Sequence, residues 1–262
     1  MFRRRYARPI ERSLHRYGED ASQLAELFLP GSRGPHGVVV VIHGGYWRAR
    51  YDRSLMTGLC QDLAANGLAA WNLEYRRVGS GGGWPETFAD VASGVDFLRE
   101  LGEPLDLERV GAIGHSAGGQ LALWTASRGT LPLNAPGASP RVSPRAVVSQ
   151  AGVADLRLAA VSPPSDEPTC ALLGGSPEEQ PGRYMLASPR ERVPLGVEQL
   201  VLHGDADTSL ALAVSEAYAA AAIAAGDPCE LRVLPGTGHF EHIDPSTDAW
   251  RTGRDWLLER LR

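Results

Sequence analysis

The sequence of 262 residues contains no lysine, since all 26 of its basic residues are arginine. This absence excludes any mechanism that needs a catalytic or Schiff-base lysine. Cysteine is also scarce: Cys60, Cys170 and Cys229 are far apart and form no CxxC or zinc-binding pattern. We therefore expect three reduced thiols in a reducing compartment, and we predict a cytoplasmic location.

Long hydrophobic runs are missing as well. No stretch approaches the roughly 20 apolar residues that a membrane span requires. The N-terminus begins Met-Phe-Arg-Arg-Arg without a following apolar run, which does not resemble a signal peptide. The formal net charge of −5 offers no attraction to nucleic acids or anionic membranes. We expect a globular protein with neither of these as a partner.

Strand-like and helix-like segments alternate along almost the whole chain, which favours an α/β fold with a mostly parallel central sheet flanked by helices. Predicted strands cover 23–30, 38–42, 68–75, 110–113, 145–149, 199–202 and 230–234. Predicted helices cover 55–65, 87–101, 120–127, 212–225 and 250–261. No linker or repeat divides the chain, so we predict one domain over 1–262. Residues 154–193 are rich in proline and weakly periodic, and we predict a small irregular lid or cap insertion there.

The strongest chemical signal is the pentapeptide Gly-His-Ser-Ala-Gly at 114–118. It matches G-x-S-x-G and lies between a predicted strand and a predicted helix, where the glycines permit a tight turn that raises the Ser116 hydroxyl above the sheet edge. The following helix directs amide groups and a partial positive charge toward a developing anion. Ser116 is therefore the candidate nucleophile.

A serine needs an adjacent base to act as a nucleophile near neutral pH. His239 follows the predicted strand 230–234 and is flanked by glycine, and Asp207 follows the preceding predicted strand. We predict that His239 exchanges protons with Ser116 while Asp207 fixes the imidazole tautomer. Asp205 is the competing acid, although an Asx-type turn suits it better. His242 is the competing base.

The segment His-Gly-Gly-Tyr-Trp at 43–47 follows another predicted buried strand. Its glycines let backbone amides approach a reacting carbonyl, so we predict an oxyanion hole formed by the amides of Gly45, Tyr46 and Ala117. We expect no cofactor and no metal; Glu241, His242 and Asp244 are the alternative metal site, but their spacing is not distinctive. Residues that we expect to bind substrate are Gly44, Trp47 and Trp84.

Together these motifs resemble the α/β-hydrolase-fold serine hydrolases, in which the nucleophile, acid and histidine occur in this order. The segment 43–47, with Tyr-Arg-Arg at 75–77 and Gly-Gly-Trp-Pro at 82–85, resembles the kynurenine formamidase (arylformamidase) branch and the related hormone-sensitive-lipase-like small esterases. Many relatives carry Val-Pro shortly after the acid, whereas Thr-Ser-Leu-Ala follows Asp207 here. This departure keeps Asp205 open as the acid.

The resemblance implies roles for Ser116, Asp207 and His239 as nucleophile, acid and base. We therefore predict a metal-independent serine hydrolase of small esters or amides that works through an acyl-enzyme, with a carboxylesterase as the first expectation. An arylformamidase that cleaves N-formylkynurenine-like formamides is the alternative within the class. A non-catalytic binding protein of the same fold is the alternative outside it. Arg76 and Arg77 bind either a substrate carboxylate or structural carboxylates.

Overall fold

Eight strands form one mixed, mostly parallel sheet in the computed structural model, which describes residues 9–262. The strands are β1 (Glu11–Arg16), β2 (Leu24–Leu29), β3 (His36–Ile42), β4 (Ala69–Leu73), β5 (Leu105–His115), β6 (Ala146–Gln150), β7 (Glu198–Gly204) and β8 (Cys229–Leu234). Their order across the sheet is β1-β2-β4-β3-β5-β6-β7-β8. Neighbouring strands from β4 to β8 in this order pair in parallel, whereas β2 pairs in an antiparallel manner with both β1 and β4. The predicted fold class is confirmed.

In residues 9–262, eight α-helices flank this sheet. They are α1 (Thr57–Ala65), α2 (Glu86–Asp96), α3 (Ala117–Ser127), α4 (Leu156–Ala159), α5 (Asp166–Leu173), α6 (Pro181–Ala187), α7 (Leu212–Ala224) and α8 (Asp248–Leu261). Helices α1 and α8 pack on one face of the sheet, and α2, α3 and α7 pack on the other. Alternate valines of β3 point into these two cores, which explains its uninterrupted apolar sequence.

Strand β1 is absent from our sequence-based predictions. Its sequence, Glu-Arg-Ser-Leu-His-Arg, is polar and half exposed, and Leu14 is 55% exposed. It lies at the edge of the sheet and pairs only with β2. Because backbone pairing and polar side-chain contacts such as the Arg12–Glu26 ion pair hold it there, no hydrophobic pattern marks it as a strand.

The sequence suggests that the insertion at 154–193 is irregular. In the structure, however, it contains the helices α4, α5 and α6. Pro168 lies in the first turn of α5, and Pro181 begins α6. Proline is tolerated in the first helical turn because the amides there lack partners within the helix. These two prolines, which obscure the periodicity in the sequence, therefore mark helix starts. Within residues 9–262, no helix has both the length and the apolar character required to cross a membrane.

The sheet brings together the carboxyl ends of strands that are distant in sequence. Ile42 is opposite Gly114 in the β3–β5 pairing, and Gly204 is opposite Leu234 in the β7–β8 pairing. The loops that carry the predicted site residues consequently leave the same edge of the sheet, as expected for ligand sites in parallel α/β sheets.

Candidate active site

Ser116 lies on a strained turn between β5 and α3. Its backbone angles, φ 55° and ψ −120°, are rare for a residue with a side chain. A Cβ atom on Gly114 would lie 2.1 Å from the Gly118 carbonyl oxygen, and one on Gly118 would lie 2.1 Å from the Ile42 carbonyl oxygen. Both glycines of the G-x-S-x-G motif are thus required by close backbone contacts that hold the turn.

His239 and Asp207 form a direct pair. The distance from His239 Nδ1 to Asp207 Oδ2 is 2.6 Å. Their loops meet because Gly204 has no side chain: a Cβ there would lie 1.9 Å from the Thr237 carbonyl oxygen. The Nδ1–H group therefore donates to the carboxylate, which leaves Nε2 as the nitrogen able to accept a proton.

Asp207 is held in its ionised form. Burial by itself would raise the pKa of its carboxyl group, but hydrogen bonds from His203, His239 and the Leu210 amide bring that pKa well below its usual range. Oδ1 accepts from the amides of Ser209 and Leu210 at 2.7 and 2.9 Å. The carboxylate is consequently fixed in orientation as well as in charge.

The alternative acid and base lie elsewhere. Asp205 is exposed, and its Oδ1 accepts a hydrogen bond from the Gly236 amide at 2.7 Å, so it orders the turn. His242 is fully buried, and neither of its ring nitrogens has a hydrogen-bond partner within residues 9–262. Among the described residues, His242 therefore makes no side-chain hydrogen bond to Asp207, whereas His239 does.

The amides predicted to form the oxyanion hole are available as donors. In the described part of the chain, the N–H groups of Gly45, Tyr46 and Ala117 make no hydrogen bond. Ala117 is the first residue of α3, where amides have no partner within the helix. Tyr46 and Trp47 have positive φ angles of 56° and 53°. Such angles are unusual for residues with side chains and give this loop a strained backbone conformation.

Ser116, His239 and the Gly45-Tyr46 loop line one small cavity of about 90 Å³. Its walls come mainly from aromatic and aliphatic side chains that sequence reasoning did not identify. The lining residues are Gly45, Tyr46, Tyr51, Leu55, His115, Ser116, His239, Phe240 and Ile243. The insertion at 154–193, which we predicted to be a lid or cap, contributes none of these lining residues. The residues missed lie in irregular loops, where no periodic pattern indicates which way a side chain points.

The predicted substrate-binding residues do not line this cavity. Trp47 is only 1% exposed, and its indole N–H donates to Gln120 Oε1, so it belongs to the core. Trp84 packs against Phe88, with ring centroids 5.2 Å apart. A Cβ on Gly44 would lie 2.5 Å from the His115 carbonyl oxygen, so this glycine provides close backbone packing behind Ser116.

The two adjacent arginines have structural roles. Arg76 makes a forked ion pair with Asp90, at 2.8 Å from Nε and 2.7 Å from Nη2. Arg77 contacts Glu74 at 3.1 Å. Neither arginine lines the cavity. Within residues 9–262, no group of three or more histidine, cysteine, aspartate or glutamate side chains is arranged to hold a metal ion.

His115 supports the loop that carries the candidate base. Its Nε2 donates to the His239 carbonyl oxygen at 2.8 Å, and the two rings are 4.6 Å apart. Burial, together with His239 and His242, holds the pKa of His115 well below its ordinary value. His115 is therefore neutral.

Buried His242 should make the fold sensitive to acid. Burial, together with the His203 and His239 rings, lowers the pKa of His242 to about 4. A histidine in the unfolded chain titrates near 6.5, so between these values the unfolded state binds a proton that the folded state does not. The free energy of unfolding should therefore fall as pH falls, by about 2 kcal/mol between about pH 7 and about pH 5 from this residue.

Urea unfolding of the wild type and of His242→Phe at these two pH values measures this contribution. We expect a smaller drop in the variant, whose remaining acid sensitivity comes in part from His115. An equal drop in both proteins would contradict this account of His242.

The fold and the geometry of the site define an α/β-hydrolase-fold esterase. The BD-FAE family model matches residues 26–221, and the chain belongs to this esterase family. No curated protein matches the chain by sequence.

Several solved esterases have a similar fold. A truncated carbohydrate esterase from gut microbiota has a TM-score of 0.81 at 22% identity, with 95% of this chain and 96% of that chain covered. The propionate-bound Est2 esterase from Thermogutta terrifontis has a TM-score of 0.74 at 23% identity, with coverage of 94% and 92%. A bifunctional GH43-CE protein from Bacteroides eggerthii has a TM-score of 0.80 at 24% identity. The match covers 95% of this chain and 38% of the bifunctional chain.

Proposed function

We propose that this esterase is a metal-independent serine hydrolase that cleaves small carboxylic esters through an acyl-enzyme. One observation carries the proposal: Ser116, on its strained turn, shares a cavity with His239, whose Nδ1 is bound to Asp207. Such a set supplies a nucleophile, a base and a group that orients the base.

The residues supply each step of the reaction. Ser116 Oγ attacks the ester carbonyl carbon while its proton passes to Nε2 of His239. The amides of Gly45, Tyr46 and Ala117 donate to the carbonyl oxygen as it becomes negative. Collapse of this intermediate breaks the ester C–O bond, and His239 returns the proton to the departing alkoxide. Water then repeats the sequence on the acyl-enzyme and releases the acid.

The size of the cavity favours a short acyl group. A volume of about 90 Å³ is well below the roughly 300–1,000 Å³ of pockets that hold drug-sized ligands. The similar Thermogutta esterase is described with propionate bound, which agrees with a short acyl group. The walls of the cavity in this protein are apolar and favour uncharged acyl groups. They are formed by Tyr46, Tyr51, Leu55, Phe240 and Ile243.

We propose an ester rather than a formamide as the substrate. The resemblance to the formamidase branch includes the Tyr46-Trp47 pair, but Trp47 lies in the core and only Tyr46 of this pair lines the cavity. The formamide is therefore included in the assay as the competing substrate. Rapid cleavage of N-formylkynurenine that depends on Ser116, with slower ester cleavage, would reverse this assignment.

Acyl-chain length provides a direct test. We expect kcat/KM for p-nitrophenyl acetate and propionate to exceed that for the octanoate by about 10-fold or more, because the octanoyl chain overfills the cavity and displacing its walls costs about 1–3 kcal/mol. Ile243→Ala should enlarge the cavity and shift the preference toward longer chains. Leu133→Ala is the control, because this side chain is 89% exposed and remote from the cavity. A preference for octanoate in the wild type would contradict the short-acyl assignment.

A further inference from the structure

A buried charged network lies beneath the loop that carries the oxyanion amides, and the reaction described above does not use it. His43 follows β3, and Glu74 follows β4, so the parallel pairing of these strands places the two side chains together. His43 is 0% and Glu74 2% exposed. The His43 ring stacks on Tyr75, with centroids 4.5 Å apart and planes 12° apart.

Both ring nitrogens of His43 face hydrogen-bond acceptors. Nδ1 lies 2.8 Å from the Gly44 carbonyl oxygen, and Nε2 lies 2.9 Å from Glu74 Oε1. A neutral imidazole has only one N–H group, and its other nitrogen would then direct a lone pair at an acceptor. The two contacts are satisfied together only when both nitrogens carry a proton.

This conclusion requires Glu74 to be a carboxylate, and its other contacts indicate that it is one. Oε1 also accepts from the Tyr75 amide at 3.0 Å and contacts the Arg77 guanidinium at 3.1 Å. Oε2 accepts from the Arg53 amide at 3.0 Å. Burial by itself would raise the pKa of Glu74, but His43, Arg77 and the Arg53 amide bring it below its ordinary value.

The same contacts orient the oxyanion loop. In a planar trans peptide the C=O and N–H groups point in opposite directions. The bond from His43 Nδ1 to the Gly44 carbonyl oxygen therefore fixes the direction of the Gly45 N–H. The Tyr75 hydroxyl donates to the His43 carbonyl oxygen at 2.9 Å and fixes the preceding peptide in the same way.

We propose that His43 is a positioning residue that is protonated on both ring nitrogens, with Glu74 as its counter-ion, and that it aims the Gly45 amide at the substrate carbonyl oxygen. A donor that is itself charged also polarises the Gly44–Gly45 peptide and strengthens the Gly45 donor. The charged groups around the ring are Glu74, Arg77 and Asp52. The positioning role rests on the proposed function, whereas the protonation state does not.

Two His43 variants separate positioning from mere stability. His43→Ala removes the bond to Gly44, and we expect kcat for p-nitrophenyl acetate to fall by about 100-fold, with KM within about threefold of wild type. His43→Asn keeps an N–H group near the position of Nδ1 and should recover most of that loss. Equal kcat for the two variants, measured on samples with matched circular dichroism and melting temperature, would overturn the positioning role.

Nitrogen NMR of the histidine-labelled wild type tests the protonation state without any substrate. The His43 resonances are those missing from His43→Asn, and we expect two protonated ring nitrogens near neutral pH. Glu74→Gln should leave one of them without a proton. A single protonated nitrogen in the wild type would overturn the proposal. If instead the wild type shows two protonated nitrogens but no Ser116-dependent esterase activity, the proposed function fails and the protonation state stands.

Discussion

Replacing Ser116 with alanine is expected to lower kcat for p-nitrophenyl acetate by about 10⁴- to 10⁶-fold without unfolding the protein. The change removes the only atom that forms the acyl bond, while the cavity and the oxyanion amides remain. Alanine also fits the space, since the strained backbone at Ser116 already accommodates a Cβ atom. The rate acceleration that remains should come from substrate binding and from the oxyanion hole.

The matched control is Ser80→Ala, in an exposed loop where the Oγ donates only to the Arg77 carbonyl oxygen. This variant should retain wild-type kcat. A fluorophosphonate should add covalently to the wild type and to Ser80→Ala, but not to Ser116→Ala, as intact-protein mass spectrometry would reveal. Retention of more than a tenth of the wild-type kcat by Ser116→Ala would exclude the acyl-enzyme route, and failure of the wild type to react would favour a binding protein.

Replacing Asp207 with asparagine is expected to lower kcat by about 10⁴-fold, because it reverses the tautomer of His239. The amides of Ser209 and Leu210 donate to Oδ1 and would hold the asparagine carbonyl oxygen in that position. The new NH₂ group would then face His239 Nδ1 and donate to it. Nε2 would carry the ring proton and could no longer accept one from Ser116.

Asp205→Asn is the matched control for this experiment. It makes the same chemical change two residues away, where the Oδ1 atom accepts only from the Gly236 amide. An asparagine oxygen serves that purpose equally well, so kcat should stay within about threefold of wild type. A larger loss in Asp205→Asn than in Asp207→Asn would assign the acid to Asp205.

Local sequence determined the parts of this protein that depend on periodicity and on backbone freedom. Alternating strand and helix patterns predicted the mostly parallel sheet, because both periods follow directly from chain geometry. The G-x-S-x-G motif located the strained turn at Ser116, since a Cβ atom at Gly114 or Gly118 would collide with neighbouring backbone. Each of these features is specified within a few residues of chain.

Tertiary structure decided what depends on contacts between distant segments. Polar β1 becomes a strand through its pairing with β2. The close approach of Gly204 to Thr237 brings Asp207, rather than Asp205, to His239. Trp47, two residues from the predicted oxyanion amide of Gly45, points into the core, where Gln120 satisfies its N–H group. The residue types alone do not encode these outcomes, because each depends on which side chain or amide the completed sheet places within hydrogen-bonding distance.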